Sequence, residues 1–304
     1  MSQHFVITGA TGNIGTSLVH TLLQHGHRVT AVARQSSRLD ALRDAGAETK
    51  AGDLHDVSFL TEALRGADAA FLMIPPNVQA PDVLEGMRQV GEKIVEAVRA
   101  AGLKQAVHLS SVGADLPAGT GPVVGVHHQE ARLNAVEGLR VAHLRPAYFM
   151  ENLLANIGMI QHMGIVGSAM RPDLLFPMVA TKDIAAKAAE LFTQGFEGGS
   201  VHYVLGPQNY SQQDAVRAIG QAIGRPELPY VQFSYEDAKQ GMIGAGLSES
   251  MTALYDEMIR NMNEEKVMVK EERTAASTSP TTLDEFVQMV FAPAFQGATA
   301  AQPA

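Results

Sequence analysis

Three short stretches hold the residue types that could do chemistry. The first, "GATGNIG", places glycines at 9, 12 and 15. Between an apolar run and an amphipathic one, this loop suits a pyrophosphate. Gly9 allows a tight turn, Gly12 lets the backbone approach the phosphates, and Gly15 lets the next helix pack on the preceding strand. Thr11, Asn13 and Ile14 belong to the same loop and helix start, where free N–H groups and a partial positive charge favour an anion. The second stretch ends in Arg34, with no carboxylate until Asp40. An acidic residue there would bind the ribose hydroxyls of NAD, whereas an arginine pairs with the 2′-phosphate of NADP. Ser36 and Ser37 could add hydrogen bonds. The third is "LSS" at 109–111 followed by "VGVHHQEARLNA" at 123–134. Its candidates are Ser110, His127 and His128. With an ordinary pKa of ~6.5, a histidine could give a proton or orient a polar substrate atom. Adjacent side chains on a helix point in different directions, so at most one of the two faces a cleft. Which one does stays open at this point.

Other chemistries find little support. The chain has no cysteine, which excludes disulfides, thiolate nucleophiles and cysteine-held metals. "HHQE" and the pair His25/His27 lack a complete ligand set, so no metal is expected. No G-x-S-x-G elbow accompanies the serines. A net charge of -9 and a pI near 5.6 speak against nucleic acid and against an anionic membrane surface. No basic leader opens the sequence and no apolar run reaches the roughly 20 residues of a membrane helix, so the expected address is the cytoplasm.

These stretches need elements to position them, and the hydrophobic pattern supplies them. Apolar runs at 4–10, 27–34, 47–53, 68–74, 103–111 and 139–146 alternate with amphipathic stretches at 13–26, 37–46, 58–67, 82–102 and 127–138. Strands buried on both faces and joined by helices imply βαβ crossovers. The expected class is α/β: a Rossmann-like, doubly wound parallel sheet with a smaller, mainly helical C-terminal capping domain. Residues 1–150 plus about 179–206 form the NADP-binding part, the strand 200–206 joining the sheet. Residues 151–178, with a helix over 148–164, and 207–295 form the cap, and 296–304 are read as a frayed tail.

The chain resembles the NmrA-like family of atypical short-chain dehydrogenases/reductases. "GATGNIG", "GDLHD" (52–56), "LSSVGAD" (109–115), "LRPAYFMEN" (144–152), "FPMVATKDIA" (176–185) and "TTLDEFVQMVFAPAF" (281–295) carry the resemblance. It implies an NAD(P)-binding Rossmann domain with a small domain closing a substrate cleft. Asp53 and Leu54 match the family's adenine contact, and Ile74 and Pro75 the loop beside the adenosine ribose. Ser110 and Ser111 match the strand end near the nicotinamide. Pro146, Ala147, Tyr148 and Phe149 match the segment lining the nicotinamide and the substrate mouth, followed by Asn152. His127 aligns, within about a residue, with the lysine of isoflavone-type reductases.

Ordinary members of the superfamily protonate their product with a tyrosine assisted by a lysine four residues on. The one such pattern here, "YEDAK" at 235–239, lies far past the fifth strand and reads as coincidence. Reducing a ketone builds alkoxide character, for which a placed acid is worth ~10²–10⁴-fold. A quinone or cationic dye builds little such charge. The expected function is therefore an NADPH-dependent reductase passing hydride to a quinone-like or other conjugated small molecule, like the quinone oxidoreductases and triphenylmethane reductases of the family. NADP(H) is the preferred cofactor, with NAD(H) as the alternative. A non-catalytic redox sensor reporting NADP(H) to a protein partner is the second reading. An epimerase or isomerase is the third, disfavoured by the absent pair. Both a monomer and a homodimer fit. Methionines cluster after the sixth strand and in the cap, where ordinary core is favoured over a pocket.

Overall fold

Strand and helix alternate through the first half of the chain as the apolar periodicity requires. In the computed structural model, which describes residues 2–300, the series is β1 (His4–Thr8), α1 (Asn13–Gln24), β2 (Arg28–Ala33), α2 (Asp40–Asp44), β3 (Glu48–Ala51), α3 (Val57–Leu64), β4 (Ala69–Leu72), α4 (Val83–Ala101), β5 (Gln105–Leu109), α5 (Val123–Asn134) and β6 (Arg140–Pro146). The second half adds β7 (Tyr148–Phe149), a 3₁₀ segment (Met150–Asn156), α6 (Ile157–Met163), β8 (Val166–Ser168), β9 (Phe176–Val179), α7 (Thr181–Gln194), β10 (Ser200–Val204), β11 (Asn209–Tyr210) and α8 (Gln212–Ala222). It closes with β12 (Tyr230–Gln232), α9 (Tyr235–Gly244), α10 (Glu249–Asn263), α11 (Leu283–Phe286) and α12 (Ala292–Ala300), the last two joined by a π-helical turn at Val287–Phe291.

The main sheet has seven strands in the order β10-β6-β5-β4-β1-β2-β3, every pair parallel. The chain order reverses between β1 and β4. At such a switch point the flanking loops part and leave a crevice beyond the strands' C-terminal ends. One sheet face packs Phe5, Ile7 and Phe71 against Leu18 and Leu22 of α1 and Ile184 and Phe192 of α7. The other packs Val6 and Leu72 against Leu60 of α3 and Ile94 and Val98 of α4. A third core gathers Met150, Ile160, Phe176, Met178, Ile219, Phe286 and Phe291 away from the sheet. Met150, Met170 and Met178 are thus core residues.

Where the structure departs from the sequence pattern, tertiary pairing is the reason. α5 begins at Val123, behind Pro122, and not at 127. A proline suits the first positions of a helix because no N–H is required there. The helix expected over 148–164 is α-helical only from Ile157, because Tyr148 and Phe149 are drawn out to pair with Met178 and Val179. The expected tail at 296–304 is helical to Ala300, and 301–304 lie outside the described residues.

Helix α10 links the C-terminal portion to two loops beside the crevice. Ser248 N donates to Val78 O (2.9 Å) and Val83 N to Ser250 Oγ (3.1 Å), tying its start to the loop after β4. Asn261 Nδ2 donates to Gly119 O (2.9 Å), tying its end to the loop after β5.

Candidate dinucleotide and acceptor site

The glycine loop turns from β1 into α1 with Gly9 at φ +65°, a conformation that penalises a side chain. A Cβ added at Gly15 would run into the Gly9 carbonyl oxygen and lie 2.7 Å from Ala10 Cα, so the helix rests directly on the loop backbone. Gly12 is the N-cap of α1, with no side-chain cap and no acidic residue in the first turn. Among the described residues the leading N–H groups of Asn13, Ile14 and Gly15 therefore have no side-chain acceptor. This donor set fits a pyrophosphate.

On the adenosine side, Arg34 follows β2 as an exposed side chain. Among the described residues no hydrogen bond or ion pair occupies its guanidinium. Asp53, after β3, is close enough to feel that charge. His55 donates to Asp53 Oδ1 through its backbone N (2.9 Å) and Nδ1 lies 2.7 Å from the same oxygen. These bonds hold the Asp53 carboxyl below its ordinary range. Leu54 and Ile74 are buried beside it and Pro75 is half-buried.

On the other side, Ser110 follows β5 and is only 5% exposed. Its hydroxyl donates to Glu130 Oε1 (2.5 Å), on α5. Arg145, on β6, grips the same carboxylate with Nε to Oε1 (2.9 Å) and Nη2 to Oε2 (2.6 Å), and donates through Nη1 to Tyr203 Oη (3.1 Å) on β10. The bidentate pair raises the Arg145 pKa further and keeps both charges satisfied although Glu130 and Arg145 are buried. Removing one partner of such a pair costs about 3–5 kcal/mol, because the other charge stays buried alone. The sequence reading missed Glu130 and Arg145. The available signal was Glu130 on the inner side of α5, at a position that an amphipathic helix ordinarily gives to an apolar residue. The next residue, Ser111, is half-buried, and among the described residues its hydroxyl makes no hydrogen bond.

The two histidines diverge. His127 lies three residues before Glu130 on the same face, and its Nδ1–H donates to Ala114 O (2.7 Å) in the loop after β5. That leaves the lone pair on Nε2, so this ring gives up a proton only from its charged form. His128 is exposed and lines a surface groove between α4 and α5 with Arg88 and Arg132.

Past β6, buried Pro146 accepts from Val112 N through its carbonyl (3.0 Å), and Tyr148 and Phe149 follow as half-buried rings. Tyr148 meets Phe176 edge to face with centroids 5.4 Å apart. Burial, with the neighbouring phenols of Tyr255 and Tyr230, pushes the Tyr148 phenol up, while exposed Asn152 hydrogen-bonds to it. Tyr255 comes from α10 and packs against the core that includes Leu72 and Ile94. Tyr235 of "YEDAK" lies elsewhere: its hydroxyl accepts from Asn263 Nδ2 (2.9 Å) and Arg260 stacks 3.8 Å over its ring. Among the described residues no group of three or more histidine, aspartate or glutamate side chains could hold a metal ion, and no helix is long and apolar enough to cross a membrane.

A phosphate-ready helix N-terminus at the switch point of a parallel sheet in this strand order defines a Rossmann-type dinucleotide-binding protein. The match is more specific than that: a family model for the NmrA-like family covers residues 1–287, and the chain belongs to that family. The chain is 29% identical over 255 residues to an NAD(P)H azoreductase of Xenophilus azovorans, covering 83% of this chain and 85% of that protein. Its fold superposes on the NADPH-dependent quinone oxidoreductase of Escherichia coli solved with NADPH, at TM-score 0.77 and 23% identity over 94% of this chain and 99% of that one. It also superposes on the Citrobacter sp. triphenylmethane reductase solved with NADP(H), at TM-score 0.76 and 18% identity over 93% and 99%.

Proposed function

We propose that the chain is an NADPH-dependent reductase acting on a quinone-like, azo or other conjugated small-molecule acceptor in the cytoplasm. The observation that carries the cofactor assignment is the pairing of an uncapped α1 N-terminus with an unengaged Arg34 at the end of β2. The backbone N–H groups of residues 13–15 hold the pyrophosphate, and Arg34 pairs with the 2′-phosphate. Asp53, Leu54, Ile74 and Pro75 line the adenosine half. NAD(H) binds the same cradle without the arginine contact. When bound, the nicotinamide supplies a hydride to the acceptor.

The acceptor class follows from what α5 and β6 offer. Tyr148 and Phe149, half-buried just past β6, offer ring faces and edges to a planar molecule. The raised Tyr148 phenol is a poor acid, and no Tyr–Lys pair stands on α5. The site therefore favours an acceptor whose reduced form is already stabilised, with His127 or water settling its proton. The work left to the protein is placement and exclusion of water.

Consumption of NADPH against a panel of quinones, azo dyes and triarylmethane dyes, with NADH run in parallel, tests this reading. Turnover with NADPH well above NADH is the expected result. Cofactor binding without turnover on any acceptor would replace the reductase with a redox sensor that signals to a protein partner.

A further inference from the structure

We infer that Glu130 is a positioning residue for the nicotinamide half of the site, with Ser110 as its tie to β5 and not a proton donor. This inference rests on the reductase reading above. One carboxylate joins the three segments that line that half. Through Ser110 it holds the end of β5, next to half-buried Ser111. Through Arg145 it holds the end of β6, just before Pro146 and the Tyr148–Phe149 rings. Being on α5 itself, it sets these ends relative to His127 three residues earlier. Arg145 continues the link to β10 through Tyr203, and its Nη1 also stands 3.9 Å from Asp115 in the loop after β5.

The hydrogen-bond directions remove Ser110 from proton transfer. A carboxylate gripped by Arg145 through both oxygens is an acceptor only. The Ser110 proton is therefore committed to Oε1, and the side chain is sealed from the crevice. Ser111 beside it is half-buried, and among the described residues its hydroxyl has no hydrogen-bond partner.

Ser110→Ala, Ser110→Thr, Glu130→Gln and the Ser110→Ala/Glu130→Gln double variant test the assignment. The readouts are NADPH affinity by cofactor fluorescence, single-turnover NADPH oxidation over a range of pH, and thermal denaturation. Displacement of reacting groups by a fraction of an ångström to an ångström costs up to about 100-fold in rate. Ser110→Ala should slow single-turnover oxidation by about 10-fold with the shape of the pH profile unchanged. Ser110→Thr, which keeps the hydroxyl, should restore most of the rate. The double variant should be no slower than the slower single one, because both break the same tie. Loss of one limb of the pH profile in Ser110→Ala would make Ser110 a proton donor and overturn the inference. Wild-type turnover in Ser110→Ala would reduce the network to fold stability and overturn it equally; this variant stays decisive if Glu130→Gln does not fold. Failure of the wild-type chain to bind NADPH or NADH would overturn the cofactor reading itself, a result distinct from any of these.

Discussion

Gly15→Ala and Gly12→Ala should separate the glycine that packs the fold from the glycine that admits the cofactor. At Gly15 a methyl group meets only backbone: the Gly9 carbonyl oxygen, Ala10 Cα at 2.7 Å and Gly9 C at 2.9 Å. No rotamer relieves such a contact, so α1 must lift from β1, with an overpacking cost of about 2–3 kcal/mol. Alanine returns about 0.8–1 kcal/mol through its better helix propensity. The clash wins by about 1–2 kcal/mol, which lowers Tm by roughly 1.5–3 °C in a chain of this size. At Gly12 the backbone is extended (φ -86°, ψ 172°) and the added Cβ would sit 3.4 Å from Gly9 O, an ordinary contact. Gly12→Ala should therefore cost no more than about 0.5–1 kcal/mol of stability, the loss of a better N-cap. It should still weaken NADPH by about 10-fold or more, because the methyl stands at the helix end where the pyrophosphate approaches, and about 1.4 kcal/mol is enough for that factor. Thermal denaturation and cofactor titration on both variants decide the matter. An unchanged Tm in Gly15→Ala, or a larger Tm loss in Gly12→Ala than in Gly15→Ala, would refute the packing argument. Undiminished NADPH affinity in Gly12→Ala would refute the phosphate cradle.

Arg34→Ala should weaken NADPH by about 10- to 100-fold, the worth of a charge-assisted hydrogen bond of about 1.5–3 kcal/mol, and leave NADH affinity nearly unchanged; competitive titration of the two cofactors checks it. His128→Ala should retain wild-type turnover because His128 lines the α4–α5 groove, whereas His127→Ala should slow it; the reverse pattern would move the acceptor to the other side of α5. Burial lowers the pKa values of His108 and His143, so the folded chain takes up protons at these sites at lower pH than the unfolded chain, which does so at about pH 6.5. Stability is therefore full above about pH 6.5 and falls as pH drops toward the folded-state values, by about 1.4 kcal/mol per pH unit for each histidine. Chemical denaturation at pH 7.5 and 5.5 measures that slope, which His108→Leu should flatten.

The parts legible in the sequence are those governed by local pattern. The glycine loop, Arg34 and the βα alternation each follow from short-range residue chemistry, and the structure places them around one switch point. The misread parts depend on partners distant in the chain. Tyr148 and Phe149 look helical until β9 arrives to pair with them. Glu130 drew no reading of its own from the sequence, because its partner Arg145 arrives from β6. The contact that distinguishes His127 from His128, to the carbonyl of Ala114, also comes from a loop distant in the chain.

α5 brings these points together. In ordinary members of the superfamily this helix carries the proton-handling pair. Here its inward polar residues are committed to structure. Gln129 donates to Gly91 O on α4 (3.1 Å), and Glu130 takes Ser110 and Arg145. Asn134 Oδ1 accepts from His143 Nε2 (3.0 Å), which orients the His143 Nδ1 lone pair toward the Nδ1–H of His108 at 3.2 Å. His127 spends its one ring proton on Ala114 when neutral. A helix so occupied holds the ends of β5 and β6 in place and has little acid to offer. A ketone would be a poor substrate for it, because a developing alkoxide would meet no committed donor. An acceptor that delocalises its own charge asks only for a fixed nicotinamide, a flat aromatic wall and a closed crevice. On the reading proposed above, the first two are the tasks of Glu130 and the Tyr148–Phe149 segment.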